Sequence, residues 1–415
     1  MLDLLKRFGF VPRQAVWELT LACDMNCRHC GSRAGRARGD ELSTAEALRL
    51  AKDLAEAGCK RLTLSGGEPL LRKDWPLICQ TLVSHGVRVN MISNGRKFSK
   101  QVAKRAKAFG LEGISFSFDG LEESHTYLRR VPGAWKKVRE NFEICREVGL
   151  PAGAVTLISR KSLPELFEVR ELLKEHGVRT WQLQLGNPTG NMEDHIELVI
   201  YPEDILEVIP TAAKLRAMPG IPKVYVGDNI GYFGDYEADL RDQDGLIPFW
   251  IGCRAGCSVV GIESNGNIKG CLSLPSAQNN EDRFVEGNVR ERPFRDIWND
   301  PDNFAYNRKF KVDDLVGFCK TCEYAEVCRG GCSWTAFAHS GNRFEFTYCY
   351  HRLVELKKQG KLDTARQGTK LGRLEAEGRL GATGGQACAE APAEPTPAAS
   401  EQPATPRREI PITEG

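Results

Sequence analysis

Short apolar segments alternate with helical segments from about residue 14 to residue 190, and this alternation constrains the fold more than any other feature. Six of the segments read as strands because they are short, nearly continuous in hydrophobicity and bounded by turn residues. They begin at Ala15, Arg61, Arg88, Gly113, Ala152 and Thr180. Six βα units in succession predict a parallel sheet covered by helices. A doubly wound sheet and a partial (β/α) barrel both fit, and either one places its chemistry at the C-terminal ends of the strands.

The composition excludes several classes of partner and site. Lys+Arg 57 against Asp+Glu 55 leaves a formal charge of +2, which gives no electrostatic reason to expect nucleic acid or an anionic membrane as partner. The N-terminus lacks a signal peptide, and no segment approaches the roughly 20 apolar residues of a membrane span. We therefore expect a cytoplasmic protein. In that reducing compartment disulfides are not expected among its 15 cysteines, so their spacing is compared with that of metal sites first.

With 415 residues, the chain is long enough for more than one folded unit. We predict a barrel over residues 1–200 and a linker or barrel-closing segment over residues 201–248. A cysteine-rich module is expected over residues 249–352, where the sequence is poor in aliphatic runs. Residues 353–415 are predicted to form a terminal helix and then a disordered Ala/Pro-rich tail, because the tail has too little apolar content to fold.

Three cysteines follow the first predicted strand in the segment "CDMNCRHC", which we call the cysteine loop (residues 23–30). Cys23, Cys27 and Cys30 have C-x3-C-x2-C spacing. A zinc site requires a fourth ligand, and His29 is adjacent to Cys30, which makes joint ligation awkward. Three thiolates on a short loop instead suit three irons of a four-iron, four-sulfur cluster, with the fourth iron available to a small molecule.

Two further motifs end the second and third predicted strands. In "SGGEP", Gly66 and Gly67 allow the backbone to approach a ligand closely, the Glu68 carboxylate can accept a hydrogen bond from an ammonium group, and Pro69 fixes the exit of the chain. In "ISNG", the side chains of Ser93 and Asn94 are placed to meet ribose hydroxyls. Each motif is weak alone, but their order along the chain and their positions at strand ends predict one shared cofactor site.

The three motifs together resemble those of radical S-adenosylmethionine (SAM) enzymes. The resemblance implies a partial (β/α)6 TIM-like barrel, with Cys23, Cys27 and Cys30 holding a [4Fe-4S] cluster that binds SAM. It also implies a catalytic reaction in which SAM is cleaved to a 5′-deoxyadenosyl radical that abstracts a hydrogen atom from substrate. "SFDG" resembles a further element of the family, which assigns Ser117 and Asp119 to contacts with SAM or substrate.

Other residues are assigned less specifically. Arg129 or Arg130 is expected near the substrate mouth, because the segment from His125 resembles one in the family that carries such an arginine. Gln182 and Gln184 alternate along the sixth strand, so both are expected to point into the barrel, either as substrate contacts or as polar filler. Three cysteines that occur singly in predicted helices are expected to be small buried hydrophobes: Cys59, Cys79 and Cys145.

Eight cysteines between residues 249 and 352 supply ligands for two complete sites. Two fully ligated cubane clusters and two four-thiolate zinc sites both match this count. The spacing resembles the SPASM extension of radical SAM enzymes, which implies three [4Fe-4S] clusters in all. By that resemblance, one auxiliary cluster takes Cys253, Cys257, Cys271 and Cys332. The other takes Cys319, Cys322, Cys328 and Cys349.

Three functions remain open from the sequence. Enzymes with this extension mostly act on peptides or proteins, so the first expectation is an oxidative or cross-linking maturase of a peptide or small protein, supplied with electrons by a flavodoxin or ferredoxin. Leu272 stands where sulfatase-maturing enzymes have an aspartate as base, which argues against formylglycine formation. Because the cysteine loop begins at residue 23, we expect no leader-recognition domain before it, which weakens the peptide expectation without excluding it. The alternatives are an enzyme that modifies a tetrapyrrole or another cofactor precursor, and a non-catalytic iron-sulfur scaffold.

Overall fold

A mostly parallel ten-stranded sheet organises the protein, whose structure is a computed structural model describing residues 9–241, 248–275 and 283–380. The strand order is β10-β9-β8-β1-β2-β3-β4-β5-β6-β7, so the strands β1 to β7 follow one another in space as they do in sequence. The strands are β1 Gln14–Glu18, β2 Arg61–Ser65, β3 Arg88–Ser93, β4 Gly113–Ser117, β5 Ala152–Ile158, β6 Thr180–Leu185, β7 Lys223–Val226, β8 Val259–Ile262, β9 Asn267–Lys269 and β10 Val285–Asn288.

Helices connect the parallel strands and cover one face of the sheet. In the first half of the chain they are α1 Thr44–Glu56, α2 Trp75–Ser84, α3 Lys100–Ala108, α4 Glu122–Arg129, α5 Ala134–Val148, α6 Leu166–Glu175, α7 Asn191–Asp194 and α8 Ile205–Ala217. Shorter helices follow: α9 Glu237–Arg241, α10 Phe294–Asn299, α11 Ala305–Arg308, α12 Gly317–Lys320, α13 Ala325–Cys328, α14 Ser333–Ser340, α15 Tyr350–Lys358 and α16 Lys370–Ala376. The mixed α/β class and the parallel sheet predicted from the sequence are confirmed.

The two faces of the sheet differ because side chains alternate along each strand. On β6, Trp181 and Leu183 are fully buried in the hydrophobic core beneath the helices. Gln182 and Gln184 point to the opposite face, where Gln182 is exposed and Gln184 is half-buried. This second face is the interior of the partial barrel, so the predicted orientation of both glutamines agrees with the strand geometry.

The sheet extends beyond the six predicted strands at both of its edges. In the 201–248 segment, strand β7 pairs in parallel with β6, with Thr180 opposite Lys223, and forms one edge of the sheet. At the other edge, β8 of the cysteine-rich region pairs in parallel with β1, with Gln14 opposite Val259. Barrel and cysteine-rich region therefore share one sheet, and Met1–Leu380 form one compact unit. The predicted domain boundaries stay predictions.

The end of the described chain packs back onto the barrel. Helix α16 buries Leu371 in a small apolar cluster with Leu128, Met192, Leu198, Val199 and Tyr201. Lys370 forms an ion pair with Glu193. The predicted disordered tail, with Cys388, lies outside the described residues. None of the described helices combines the length and the apolar character needed to cross a membrane.

The isolated cysteines behave as predicted. Cys59, Cys79 and Cys145 are at most 1% exposed and belong to the main hydrophobic core. Cys79 lies in α2 and Cys145 in α5, whereas Cys59 precedes β2 rather than lying in a helix, because α1 ends at Glu56. They are packing residues of the barrel.

A buried carboxylate joins the first strand to the cysteine-rich region. Glu18, 4% exposed, accepts hydrogen bonds from the Ser264 backbone N–H at 3.2 Å and from the Ser264 hydroxyl at 2.9 Å. Arg38 approaches the same carboxylate oxygen at 3.1 Å. Three donors from two distant segments therefore converge on one side chain.

Replacing this carboxylate should destabilise the protein. We expect Glu18→Ala to lower the free energy of unfolding by about 3 kcal/mol, because it leaves the buried donors of Ser264 without an acceptor and Arg38 without its nearest partner. Differential scanning calorimetry of anaerobically purified protein measures the change. Glu147→Ala, which removes an exposed ion pair with Lys100, is the matched control and should leave the melting temperature unchanged. Equal effects of the two substitutions would contradict a linking role for Glu18.

Candidate functional site

The cysteine loop lies directly after β1, at the C-terminal edge of the parallel strands. Cys27 is 6% exposed and packs with Met25 and Ala134 in a small apolar cluster. Cys23 and Cys30 pack against the same cluster, so all three predicted ligands meet in one place. Burial raises the pKa of Cys23 to about 11, and it also raises the pKa of Cys27. The thiols must therefore release protons when they bind metal.

Backbone hydrogen bonds from distant segments hold the cysteine loop in place. The Cys23 N–H donates to the Gly35 carbonyl at 2.9 Å. The Asn191 N–H donates to the Cys30 carbonyl at 2.8 Å, and the Asn191 side chain donates to the Cys27 carbonyl at 2.8 Å. A Cβ atom on Gly190 would lie 2.3 Å from the Cys30 oxygen, so only glycine permits this approach. Sequence reasoning missed Gly190 and Asn191, since neither belongs to a recognisable motif.

The two glycines of "SGGEP" allow a close approach of two backbone segments. A Cβ atom on Gly66 would lie 2.4 Å from the Thr20 oxygen, and one on Gly67 would lie 2.3 Å from the Ala22 oxygen. The Gly67 N–H donates to Thr20 and the Glu68 N–H donates to Ala22, both at 2.8 Å. The glycines thus allow the close approach of the chain that enters the cysteine loop, and their predicted approach to a ligand stays a prediction. Pro69 then begins a short 3-10 helix, Pro69–Leu71.

Glu68 is a fully buried carboxylate that is surrounded by donors of the chain. It accepts from the Ser93 hydroxyl at 2.9 Å, the Asn94 N–H at 2.7 Å and the Leu70 N–H at 3.1 Å. Burial raises the pKa of Glu68 to about 7, although these hydrogen bonds favour the charged form. The motifs "SGGEP" and "ISNG" are thus joined through one side chain. The predicted contact of Glu68 with the amino group of a ligand stays a prediction.

Asn94 connects this carboxylate to the cysteine loop. Its side-chain amide donates to the Asp24 carboxylate at 2.9 Å and lies 3.8 Å from the Cys23 sulfur. Ser93 is 2% exposed and accepts from the Gly95 N–H at 3.0 Å in addition to donating to Glu68. The structure brings both residues to the loop, while their predicted contacts with ribose hydroxyls stay predictions.

Asp119 and Arg129 form a buried ion pair beside the cysteine loop. The guanidinium approaches the carboxylate at 2.6 Å and lies 3.7 Å from the Cys27 sulfur. Burial alone would raise the pKa of Asp119, but Arg129, His29 and His125 hold it at about 2. Of the two candidate arginines, Arg129 therefore belongs to the site, whereas Arg130 is exposed.

His29 completes this network from within the loop. Its Nε2 atom lies 3.5 Å from the Asp119 carboxylate, and burial lowers the pKa of the imidazole to about 4. His29 therefore contacts the ion pair as a neutral ring. Ser117 is half-buried at the end of β4 and lies on the face opposite Phe116. This position is compatible with the predicted contact between Ser117 and a cofactor.

The eight remaining candidate cysteines fall into two groups in space. The first auxiliary group contains Cys253, Cys257, Cys271 and Cys332; charge on Cys253 affects the pKa of each of the other three thiols. The second auxiliary group contains Cys319, Cys322, Cys328 and Cys349, which line one shared cavity. Both groups match the sets implied by the resemblance.

Each auxiliary group offers the four thiols that a fully ligated cubane cluster requires. Cys253, Cys257 and Cys332 of the first group and Cys319 and Cys349 of the second are buried, and the other three thiols are half-buried. Each set of four therefore fits one iron-sulfur cluster.

Two family models match the chain where these features lie. Residues 17–161 match the radical SAM superfamily, and residues 253–323 match an iron-sulfur cluster-binding domain known as SPASM. An AdoMet-dependent heme synthase of Methanosarcina barkeri is 30% identical over 353 residues, which are 82% of this chain and 97% of that protein. The chain belongs to the radical SAM superfamily. It is therefore an enzyme with a SPASM domain, and the non-catalytic scaffold has no support.

Other radical SAM proteins share the fold at lower identity. The mycofactocin maturase MftC of Mycolicibacterium smegmatis is 25% identical, and the match covers 79% of each chain. The crystal structure of Streptococcus suis SuiB bound to S-adenosylmethionine superposes with a TM-score of 0.64 at 17% identity, covering 84% of this chain and 80% of SuiB. At this identity the radical SAM neighbour shows the fold alone.

The two neighbouring arginines allow a controlled test of the radical SAM site. Arg129→Met should lower the free energy of unfolding by about 3 kcal/mol or more, because Asp119 is left as a buried unpaired charge beside Cys27. Iron at the cysteine loop should fall with it. Arg130→Met changes only an exposed side chain and is the control. Thermal unfolding and iron analysis measure both effects. Equal stability and equal iron content of the two variants would contradict the assignment of Arg129 to the site.

The raised pKa of Glu68 predicts a pH dependence of stability. Protonated Glu68 is favoured in the folded protein, so its contribution to stability is complete below about pH 4.5 and is lost as the pH rises through 7. Relative to Glu68→Gln, the wild-type protein should lose about 2 kcal/mol of stability between pH 5 and pH 8. Denaturant unfolding of both proteins across this range measures the difference. A constant difference would show that Glu68 does not titrate there.

Proposed function

We propose that this radical SAM enzyme modifies a side chain of a tetrapyrrole on the route to haem. The observation that carries the proposal is the match to the AdoMet-dependent heme synthase, which extends over 97% of that protein and includes both the barrel and the SPASM region. A match over nearly the whole length indicates a shared arrangement of domains as well as shared cofactor motifs. The tetrapyrrole function, which was an alternative on sequence grounds, is therefore our leading proposal.

Basic side chains beside the cysteine loop support a substrate with carboxylate groups. The Arg28 guanidinium lies 4.1 Å from the centre of the Tyr127 ring, and the Lys161 ammonium lies 4.5 Å from the same ring. No ion pair joins either Arg28 or Lys161 to a carboxylate within the described ranges. Two cations on an aromatic ring at the strand ends offer charge-assisted hydrogen bonds to carboxylates and an apolar surface to a macrocycle.

We assign different roles in this reaction to different residues of the site. We assign Cys23, Cys27 and Cys30 to the SAM-binding cluster, and the two auxiliary groups to one cluster each, three [4Fe-4S] clusters in all. Bound to its cluster, SAM supplies the 5′-deoxyadenosyl radical that abstracts hydrogen. Gly66, Gly67, Glu68, Pro69, Ser93 and Asn94 form the SAM-side wall, and Ser117 and Asp119 complete it. Burial of Cys27 and Asp119 keeps water from this part of the site.

A peptide substrate is the second candidate function. The mycofactocin maturase is similar to this chain over 79% of both sequences, at lower identity than the heme synthase. A peptide or small-protein maturase, with a flavodoxin or ferredoxin as electron donor, would use the same cysteine loop and the same glutamate. The two candidates differ in what occupies the mouth of the barrel.

Anaerobic turnover with defined substrates tests the proposal. We expect the reduced, iron-loaded enzyme with SAM and an iron tetrapyrrole that bears carboxylate side chains to release 5′-deoxyadenosine and to change the mass of the tetrapyrrole. Lys161→Met should raise KM for the tetrapyrrole about tenfold, since it removes one charge-assisted hydrogen bond. Lys52→Met, on the outer face of α1, should leave KM unchanged.

Two controls separate the outcomes. Triple replacement of Cys23, Cys27 and Cys30 by Ala should abolish SAM cleavage while the other clusters remain. If the tetrapyrrole is unchanged but a short peptide encoded beside the gene gains a modification, the peptide function replaces the proposed one. An equal KM for the two lysine variants would remove Lys161 from the substrate site.

A further inference from the structure

The two auxiliary groups have different electrostatic surroundings. Three arginines lie against the first auxiliary group, each of them at most 7% exposed: Arg308, Arg329 and Arg343. None of the three forms an ion pair within 4 Å with a carboxylate of the described chain. A buried cation is costly unless an anion lies nearby. Glu286 and Asp300 act on Arg308, and Asp314 acts on Arg343, but only from beyond 4 Å. A nearer anion therefore stabilises the fold. The thiolates of the first auxiliary group are in that position.

Two of these arginines lie beside Cys257. Arg329 donates to the Ile251 carbonyl at 2.9 Å, and its NH1 atom is buried with no hydrogen-bond partner in the described structure. Arg308 donates to the Gly256 carbonyl at 2.7 Å, and its NH2 atom is equally without one. Burial raises the pKa of Cys257, while Arg329 and Arg308 both oppose that rise.

The third arginine and a tyrosine lie beside the other thiols. Arg343 donates to the Asn307 side chain at 2.9 Å, and its Nε and NH1 atoms have no partner within the described ranges. Charge on Cys253 opposes the lowering of the pKa of Arg343 by burial. The Tyr306 hydroxyl would lie 2.0 Å from a Cβ atom on Gly270, which places it next to Cys271, and it too is buried without a partner there.

These five buried atoms are therefore donors that the described protein leaves unused: the Tyr306 hydroxyl, one nitrogen each of Arg308 and Arg329, and two nitrogens of Arg343. Unused buried donors are rare, because each one forfeits the hydrogen bonds it made in water. Their arrangement around four thiols fits a bound anionic group with sulfur acceptors. A [4Fe-4S] cluster with four thiolates is such a group.

The second auxiliary group has a largely apolar environment. Its cavity is lined by aromatic and aliphatic side chains, among them Tyr232, Phe233, Leu315, Phe318 and Phe346. Arg352, which lies beside this group, donates to the Thr347 and Ala365 carbonyls at 2.9 and 3.2 Å. Burial raises the pKa of Cys319 to about 11, and the charge on Glu345 contributes to the rise.

We propose that Arg308, Arg329, Arg343 and Tyr306 make the cluster of the first auxiliary group the more easily reduced of the two auxiliary clusters. Reduction adds one negative charge to a cluster, and hydrogen bonds and cations around its sulfur atoms stabilise that charge. An apolar cavity stabilises it less. The residues are thus positioning and tuning residues, which touch the cluster rather than the substrate. The inference rests on the proposed presence of two auxiliary clusters.

An EPR-monitored redox titration of the iron-loaded enzyme tests this order. In the wild-type protein the first auxiliary cluster should be reduced at the higher potential. Tyr306→Phe, which removes one donor and keeps the ring, and Arg343→Gln, which removes one charge, should each move that potential in the negative direction. Neither should move the potential of the second auxiliary cluster. Arg352→Gln is the matched control and should affect the second cluster alone.

Iron analysis separates the possible failures. Loading of about twelve irons per chain supports three four-iron clusters, whereas loading near four would remove the two-cluster premise and this inference with it. Full loading with equal potentials, or with potentials that neither variant changes, would overturn the inference and leave the proposed function intact. If Arg343→Gln fails to load iron, Tyr306→Phe alone decides, because it preserves the volume and charge of the site.

Discussion

The structure depends on hydrogen bonds that immobilise a loop with no regular structure of its own. The cysteine loop follows β1, and its carbonyl and N–H groups are satisfied by Gly35 and Asn191, while the chain entering it is held by Gly67. Because backbone groups at a buried site require partners, these contacts fix where the thiols lie. The glycines at positions 66, 67 and 190 permit the approach, since any larger residue would collide with a carbonyl oxygen.

Much of the fold was predictable because hydrophobic patterns are local. Five of the six predicted strands begin at the predicted residue, and β1 begins one residue earlier, at Gln14. The pairing of β7 with β6 and of β8 with β1 was not predicted, because pairing between distant segments leaves no periodic signal in either one.

The residues of the candidate site that belong to sequence motifs were predictable. The contacts between residues that are distant in sequence were not. The sequence indicated the cysteines and Glu68, but not that Glu68 would be enclosed by Ser93, Asn94 and Leu70. It offered Arg129 and Arg130 as equals, and only the structure shows that one of them pairs with Asp119. The arginines around the first auxiliary group belong to no sequence motif, because the thiols that they lie beside are distant from them in sequence.

Helix α16, near the end of the described chain, has a consequence for how the enzyme is assembled. It packs through Leu371 on Met192 and Leu198, close to the segment whose Asn191 holds the cysteine loop. A ribosome releases the N-terminal cysteines early, long before α16 and β8 exist to complete their surroundings. The supports of the loop are therefore finished only when synthesis is nearly over, and a stably enclosed metal centre is the product of the whole chain.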